Sequence, residues 1–355
     1  MTNIERIRQA LGDHNCGAML ITSPTNRLFA TGFSSSAGML LVTAKGAWFF
    51  IDGRYIESAA AAIPDAHVSL VTKGATYEAQ LNAVFAEHDI KSAGFEDGAI
   101  TYSEYLDWKN KLKVELTPKQ KLLDDLRAVK SPDDLEKIKK AQRVSERAFA
   151  EILPMIGTDI TEKQLATELV YRMFKNGADD KAFDPIVVSG SRSSLPHGVP
   201  EDRKISEGFL TIDFGARVDG WCSDTTRTLC VGKPSDEMVR VYETVLAAQE
   251  AGIAAARAGV HGREIDLAAR TVIDNAGFGK YFDHGFGHGL GLEVHEFPRA
   301  SQAHDHIIPA GAVISAEPGV YLPGKFGVRI EDLLYITEGG CENITKLPKE
   351  LLVID

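Results

Sequence analysis

Cysteine is scarce in this chain: four among 355 residues, with no C-x-x-C pair. That is too few for a disulfide framework or a thiolate metal centre, so Cys16, Cys222, Cys230 and Cys341 are expected as buried, reduced thiols. Long apolar runs are missing too; none reaches the roughly 18 residues of a membrane span. The opening stretch MTNIERIRQALGDH is charged and amphipathic, unlike the apolar core of a secretory signal. Basic excess is also absent. Against 50 acidic side chains stand 39 Lys and Arg, giving −11, a poor match to nucleic-acid phosphates. The expectation is a cytoplasmic protein with neither nucleic acid nor membrane as partner.

What is present is an ordinary globular composition spread over a chain long for a single core, so two domains are expected. Residues 1–125 alternate short strands (Ala18 to Ile21, Gly38 to Thr43, Ala47 to Ile51) with helices (Tyr55 to Ala62, Tyr77 to His88), which predicts a smaller α/β domain. Near LLDDLRAVKSPDDLEKIKKA the pattern changes. Ser131 suits an N-cap, Pro132 the first helical position, and Asp133 and Asp134 the positive helix end. From residue 130 to 355 the chain reads as a second domain built twice over. Helices near 132–153 and 162–175 precede strands ending near Val231. Two further helices, opened by Ser235 and closed before Gly277, precede strands that run to Ile336. The fold class is α+β, with two ααβ halves related by a pseudo-twofold axis.

The chemistry is concentrated in this second region. In FLTIDFGARVDGWCSDTTRTLCV, Asp219-Gly220 is a hairpin signal. With that turn, Val218 faces Trp221, Gly215 faces Asp224 and Asp213 faces Thr226. Asp213 and Asp224 then share a sheet face as diagonal neighbours, about 7–8 Å apart. Two carboxylates that close on an apolar strand repel unless a cation lies between them; the alternative is a pair of solvated edge residues. AGAVISAEPGVYL (310–322) and GVRIEDLLYIT (327–337) read as two more strands, each with a glutamate in an apolar setting, Glu317 and Glu331. Asp332 points away from Glu331 by the two-residue period, and Arg329 shares Glu331's face. Seven of the ten histidines follow residue 190, and His284, His288 and His295 fall within HGFGHGLGLEVHE. The glycines there exclude a stable helix and hence a helical zinc motif; they let the backbone approach a ligand closely. Oxygen-rich ligation with imidazole suits Mn²⁺, Co²⁺, Fe²⁺ or Zn²⁺. Four carboxylates balance two divalent ions.

These stretches, with PHG at 196–198, EPG at 317–319 and RIED at 329–332, resemble the pita-bread metallopeptidases, which include methionine aminopeptidase, aminopeptidase P and prolidase. The resemblance covers residues 130 to 355. It implies five ligands for two divalent ions per subunit, Asp213, Asp224, His288, Glu317 and Glu331, with manganese first and cobalt, zinc or iron as alternatives. It places His197, His284, His295 and Arg329 among the remaining active-site positions. Glu317 is then the general base for the attacking water, His284 and His295 bind the scissile carbonyl, and His197 lines the substrate pocket. The first domain, with NRLFATGFSSSAGMLLV and FIDGRYIESA, resembles that of the Xaa-Pro enzymes. The implied substrates are small peptides with proline in second position, cleaved by an Xaa-Pro aminopeptidase; the alternative is an Xaa-Pro dipeptidase, with Arg54 as a candidate cation for the proline carboxylate. The family tends to form homodimers. Two rivals are a metal-free creatinase-like hydrolase, which lacks these ligands, and a peptidase-like binding module, which loses them.

Overall fold

A computed structural model of the protein describes residues 1–354. The backbone forms two compact units, one over Met1–Arg127 and one from Ala128 onward. The first is α/β. Its six-stranded mixed sheet runs His67–Leu70, Ala47–Ile51, Met39–Thr43, Ala18–Ile21, Ser92–Phe95, Glu115–Pro118. The central strand Ala18–Ile21 is buried at all four positions because helices cover both faces of a sheet with parallel pairings. The helices Ile56–Ala62 and Tyr77–Glu87 match the expected segments to within one residue at each end.

The second unit begins as its caps dictate. Ser131 accepts the Asp134 amide, closing a capping box on the helix Pro132–Ile152, and Thr161 with Gln164 does the same for Glu162–Lys175. The second helix pair is Asp236–Ala255, capped by Ser235, and Gly262–Asn275. Each pair packs its apolar stripe onto the strands that follow it. Phe149 stacks on Phe214 at 5.2 Å in one half, and Val245, Ile265 and Ile273 pack around Phe286 and Ile314 in the other. The expected pseudo-symmetry is therefore visible in the order of elements and in two separate cores. No helix among the described residues is long and apolar enough to cross a membrane. All four cysteines are free; Cys222 and Cys230 are buried, but Cys16 and Cys341 are only half-buried.

The hairpin of the first half has the expected register. Val218 pairs with Trp221 and Asp213 with Thr226, around Asp219 and Gly220 at φ +52° and +83°, as a type I′ turn requires. Its strands are not continuous, however. They break into Gly208–Phe214 with Ala216–Val218, and Trp221–Cys222 with Thr225–Val231. At the break, a Cβ on Gly215 would lie 2.0 Å from the Ser223 carbonyl, so only glycine fits. In the second half the two expected long strands break likewise. Val313–Ala316 is separated from Gly319–Leu322, and Phe326–Arg329 from Asp332–Thr337. Pro318, which has no N–H for the ladder, sits in one gap. Asp224 and Glu331 each immediately precede the strand that returns from the turn.

Candidate active site

The strand breaks are what bring the carboxylates together. Backbone freed from a flat ladder turns Asp224, Glu317 and Glu331 inward. Asp213 stays on its strand, one residue from the break. The halves are joined at this point: the Glu331 amide donates to the Thr226 carbonyl at 3.1 Å, and Thr226 Oγ1 donates to Glu331 Oε2 at 2.8 Å. Ligand atoms of Asp224, His288 and Glu331 all lie within 4.8 Å of one another. Nε2 of His288 is 3.0 Å from Glu317 Oε1 and 3.7 Å from Asp224 Oδ2, while its Nδ1 faces the Gly289 carbonyl at 3.2 Å. With Nδ1–H donated to that carbonyl, Nε2 is the nitrogen that would ligate a metal ion held among the carboxylates.

Arg329 is buried and bonds Asp213 Oδ2 at 2.6 Å, Thr226 Oγ1 at 3.0 Å, the Tyr321 hydroxyl at 2.8 Å and the Pro196 carbonyl at 3.1 Å. One cation does not neutralise four carboxylates. Burial, reinforced by the neighbouring acids, pushes Asp224 and Glu331 well above the carboxylate range. Burial acts on Glu317 in the same direction, but His288, His284 and Arg329 outweigh it and bring its carboxyl down to about 2. Two buried oxygens, Asp213 Oδ1 and Glu331 Oε1, have no hydrogen-bond partner. Unpaired carboxylate oxygens among crowded acids, facing an imidazole lone pair, fit divalent cations.

Around this cluster lies a cavity of about 1120 Å³. His197, His284, His295, Glu317 and Arg329 all line it, as do Asp213, Asp224, His288 and Glu331. His197 is exposed in the turn that follows Pro196. His295 packs edge-on against His288, with ring centroids 4.2 Å apart. Partial desolvation there, with His288 and Arg299 nearby, lowers its pKa. Burial lowers that of His284 too. Both imidazoles are thus favoured in the neutral form. Nδ1 of His284 faces the Gly285 carbonyl at 2.9 Å and Nε2 the Tyr321 hydroxyl at 3.1 Å, so both its ring nitrogens are engaged.

Arg54 lies in the first unit, two-thirds exposed and paired with Asp52 at 2.7 Å. The glycines near His288 do something other than the sequence suggests. A Cβ on Gly287 would lie 1.9 Å from the Ser315 carbonyl; the close approach is to a neighbouring strand rather than to a ligand. Sequence reasoning missed Tyr321, Thr226 and Ser315. Ser315 Oγ donates to Glu317 Oε1 at 3.0 Å and accepts the His288 amide at 3.0 Å. An aromatic or a hydroxyl on an apolar strand reads as core or β-propensity. The one available signal was the two-residue period linking Tyr321 to Glu317.

Known proteins resemble this chain in sequence and fold. A model of metallopeptidase family M24 matches residues 136–338, and one of the creatinase/prolidase N-terminal domain matches residues 3–129. The uncharacterized peptidase YqhT of Bacillus subtilis (strain 168) is 40% identical over 353 residues, 99% of either chain. Among solved structures, the Xaa-Pro dipeptidase from Bacillus anthracis superposes with a TM-score of 0.95 at 38% identity, covering 99% of both chains. The X-Pro aminopeptidase from Thermotoga maritima MSB8 does so with 0.91 at 36% identity, covering both chains completely. The second unit is thus a pita-bread fold, and the chain belongs to metallopeptidase family M24, whose hydrolytic chemistry depends on divalent metal ions.

Proposed function

We propose that this protein is a two-metal peptidase that hydrolyses the bond between an N-terminal residue and a following proline. The observation that carries the metal assignment is the pair of unpartnered buried oxygens, Asp213 Oδ1 and Glu331 Oε1, in one carboxylate cluster with His288. Asp213, Asp224, His288, Glu317 and Glu331 would hold two ions, with Mn²⁺ first. When bound, the ions supply Lewis acidity to the carbonyl and to the attacking water.

The chain's own residues do the rest. Glu317, kept ionised beside the Arg329 guanidinium, takes the proton of the attacking water. Arg329 holds Asp213 and offsets residual negative charge. His295 is neutral, stands on the cavity wall and donates its N–H to the oxyanion. His284 lines the cavity with Nδ1 facing the Gly285 carbonyl and Nε2 the Tyr321 hydroxyl, and with substrate bound it holds the scissile carbonyl with its proton on Nε2. His197 lines the substrate pocket.

The Xaa-Pro preference is supported by the first unit, which matches the creatinase/prolidase N-terminal domain, and by relatives that carry such activities in their names. A cavity of about 1120 Å³ exceeds the usual span of drug-sized ligand pockets, about 300–1,000 Å³. It has room for chain beyond the proline, which favours the aminopeptidase. One observation favours the dipeptidase instead: Arg299 lies on the cavity wall, where it could pair with a free proline carboxylate. A domain division at 1–125 and 130–355, a homodimer and a cytoplasmic setting belong to the same reading.

The test compares Ala-Pro, Ala-Pro-Ala and the matching Ala-Ala peptides at equal concentration with Mn²⁺, measuring the loss of each peptide. Faster cleavage of the proline peptides supports the proposal. Rapid cleavage of the tripeptide marks an aminopeptidase, and cleavage of the dipeptide alone marks a dipeptidase. Equal rates for Pro and Ala peptides overturn the Xaa-Pro preference.

A further inference from the structure

The helices Glu162–Lys175 and Gly262–Asn275 occupy equivalent places in the two halves and bury the same positions. Leu165, Leu169 and Met173 in one correspond to Ile265, Ala269 and Ile273 in the other. Between these buried positions they differ in kind. Where the first helix has Ala166 and Val170, the second has Asp266 and Arg270. The fold is built without an ion pair at these positions in one half, so the packing of the helix does not itself call for one in the other.

Asp266 is fully buried and grips Arg270 with two bonds, Nε to Oδ2 at 2.8 Å and Nη2 to Oδ1 at 3.1 Å. The pair then reaches the segment that carries His284. Arg270 Nη1 donates to the Phe282 carbonyl at 2.7 Å and Nη2 to the His284 carbonyl at 2.8 Å, and Asp266 Oδ1 accepts the Phe286 amide at 2.9 Å. Residues 282, 284 and 286 alternate along the segment that leads into the sheet ladder at Gly287, with bends at His284 and Phe286. The two side chains therefore do the work of a neighbouring strand on that edge. The guanidinium also lies over the Phe282 ring at 4.1 Å, and that ring stands edge-on to His284 at 5.0 Å. On the far side of the same segment, the Glu317 amide donates to the Phe286 carbonyl at 2.8 Å.

We infer that Asp266 and Arg270 are positioning residues for His284: the pair holds the backbone that aims its imidazole into the cavity. This rests on the peptidase reading above, in which His284 acts on the substrate. Arg270→Lys is the informative variant, because it keeps a cation beside Asp266 but loses the planar fork that spans both Asp266 oxygens and the Phe282 and His284 carbonyls. In the metal-loaded enzyme it is expected to lower kcat on an Xaa-Pro peptide about tenfold or more, with a smaller change in KM and unchanged metal content, since misplacing a reacting group by about 1 Å costs up to ~10²-fold. In a His284→Ala background the same substitution should cost nothing further, because the residue being positioned is gone. A purely structural role would reduce kcat equally in both backgrounds and would overturn the inference, as would unaltered kcat in Arg270→Lys. Amide hydrogen exchange at Phe286 tests the clamp separately from activity. Exchange should quicken in Arg270→Lys relative to the parent, and unchanged exchange also overturns the inference. Failure of the parent enzyme to cleave any Xaa-Pro peptide would count against the proposed function, and the exchange measurement would still decide whether the clamp exists.

Discussion

The Tyr321 hydroxyl stands 3.1 Å from Nε2 of His284 while accepting a hydrogen bond from Arg329 at 2.8 Å. Because the guanidinium can only donate, the phenolic proton is left for His284, whose own Nδ1–H goes to Gly285. Asp213, Arg329, Tyr321 and His284 thus form one chain of bonds from the carboxylate cluster to the cavity wall. Burial pushes the Tyr321 phenol up to about 12 despite the adjacent guanidinium, so it keeps its proton through the neutral range.

Tyr321→Phe should therefore keep its metals and lose turnover. It leaves His284 Nε2 without its donor and one buried Arg329 N–H without its acceptor. A stability loss of about 1–3 kcal/mol is expected from the unsatisfied group. Thermal unfolding and metal analysis by mass spectrometry check both halves of this statement; loss of metal would show that the chain of bonds sets coordination as well.

Asp224→Asn and Glu331→Gln each remove an anion from the cluster in which His288 sits. Both variants are expected to be inactive and depleted in metal. Chelation of the parent should abolish activity, and Mn²⁺ or Co²⁺ should restore it. Full turnover by a metal-free preparation would sink the ligand assignment.

His295→Ala should retain metal and lose roughly 10²–10³ in kcat, the cost of one oxyanion donor. Steady-state kinetics with metal analysis on the same sample decides between this and a coordination role, which metal loss would reveal.

Stability should fall on the acid side. Burial lowers the His284 pKa from 6.5, so the unfolded chain takes up this proton before the folded chain does. Stability is lost as pH falls below about 6.5 and levels off below the folded value. Melting temperature followed against pH should show this slope in the parent and a shallower one in His284→Gln. An identical slope in both would exclude His284 as its source.

Gly215→Ala should be among the most damaging single methyl additions in the second unit. The new Cβ would meet the Ser223 carbonyl at 2.0 Å and Phe183 at 2.9 Å. Overpacking of this kind costs about 1–3 kcal/mol. Ser223 precedes Asp224, so metal retention should fall along with the melting temperature, and a variant matching the parent in both would show that the break is not needed.

Local chemistry made much of this protein legible in its sequence. Caps such as Ser131 and Thr161 depend on residues three apart, and the turn at Asp219-Gly220 fixes register by backbone conformation alone. That is why the helices of the second unit and the pairing of Asp213 with Thr226 could be read directly. The resemblance supplied the family, and the ligand set proposed above, by the same kind of reading, motif by motif. The sequence could not show that the strands carrying the acids are broken. Apolar residues run through the gaps, and the two-residue period does not register where a ladder stops. Nor could it show that Arg329 would reach Asp213, Tyr321 and Thr226 at once, or that Asp266 and Arg270, on the helix Gly262–Asn275, would bond the segment that carries His284. Arg329 meets Asp213 and Thr226 only because one half packs against the other, and Arg270 meets the His284 segment only because a helix packs on it; neither meeting is set by local sequence.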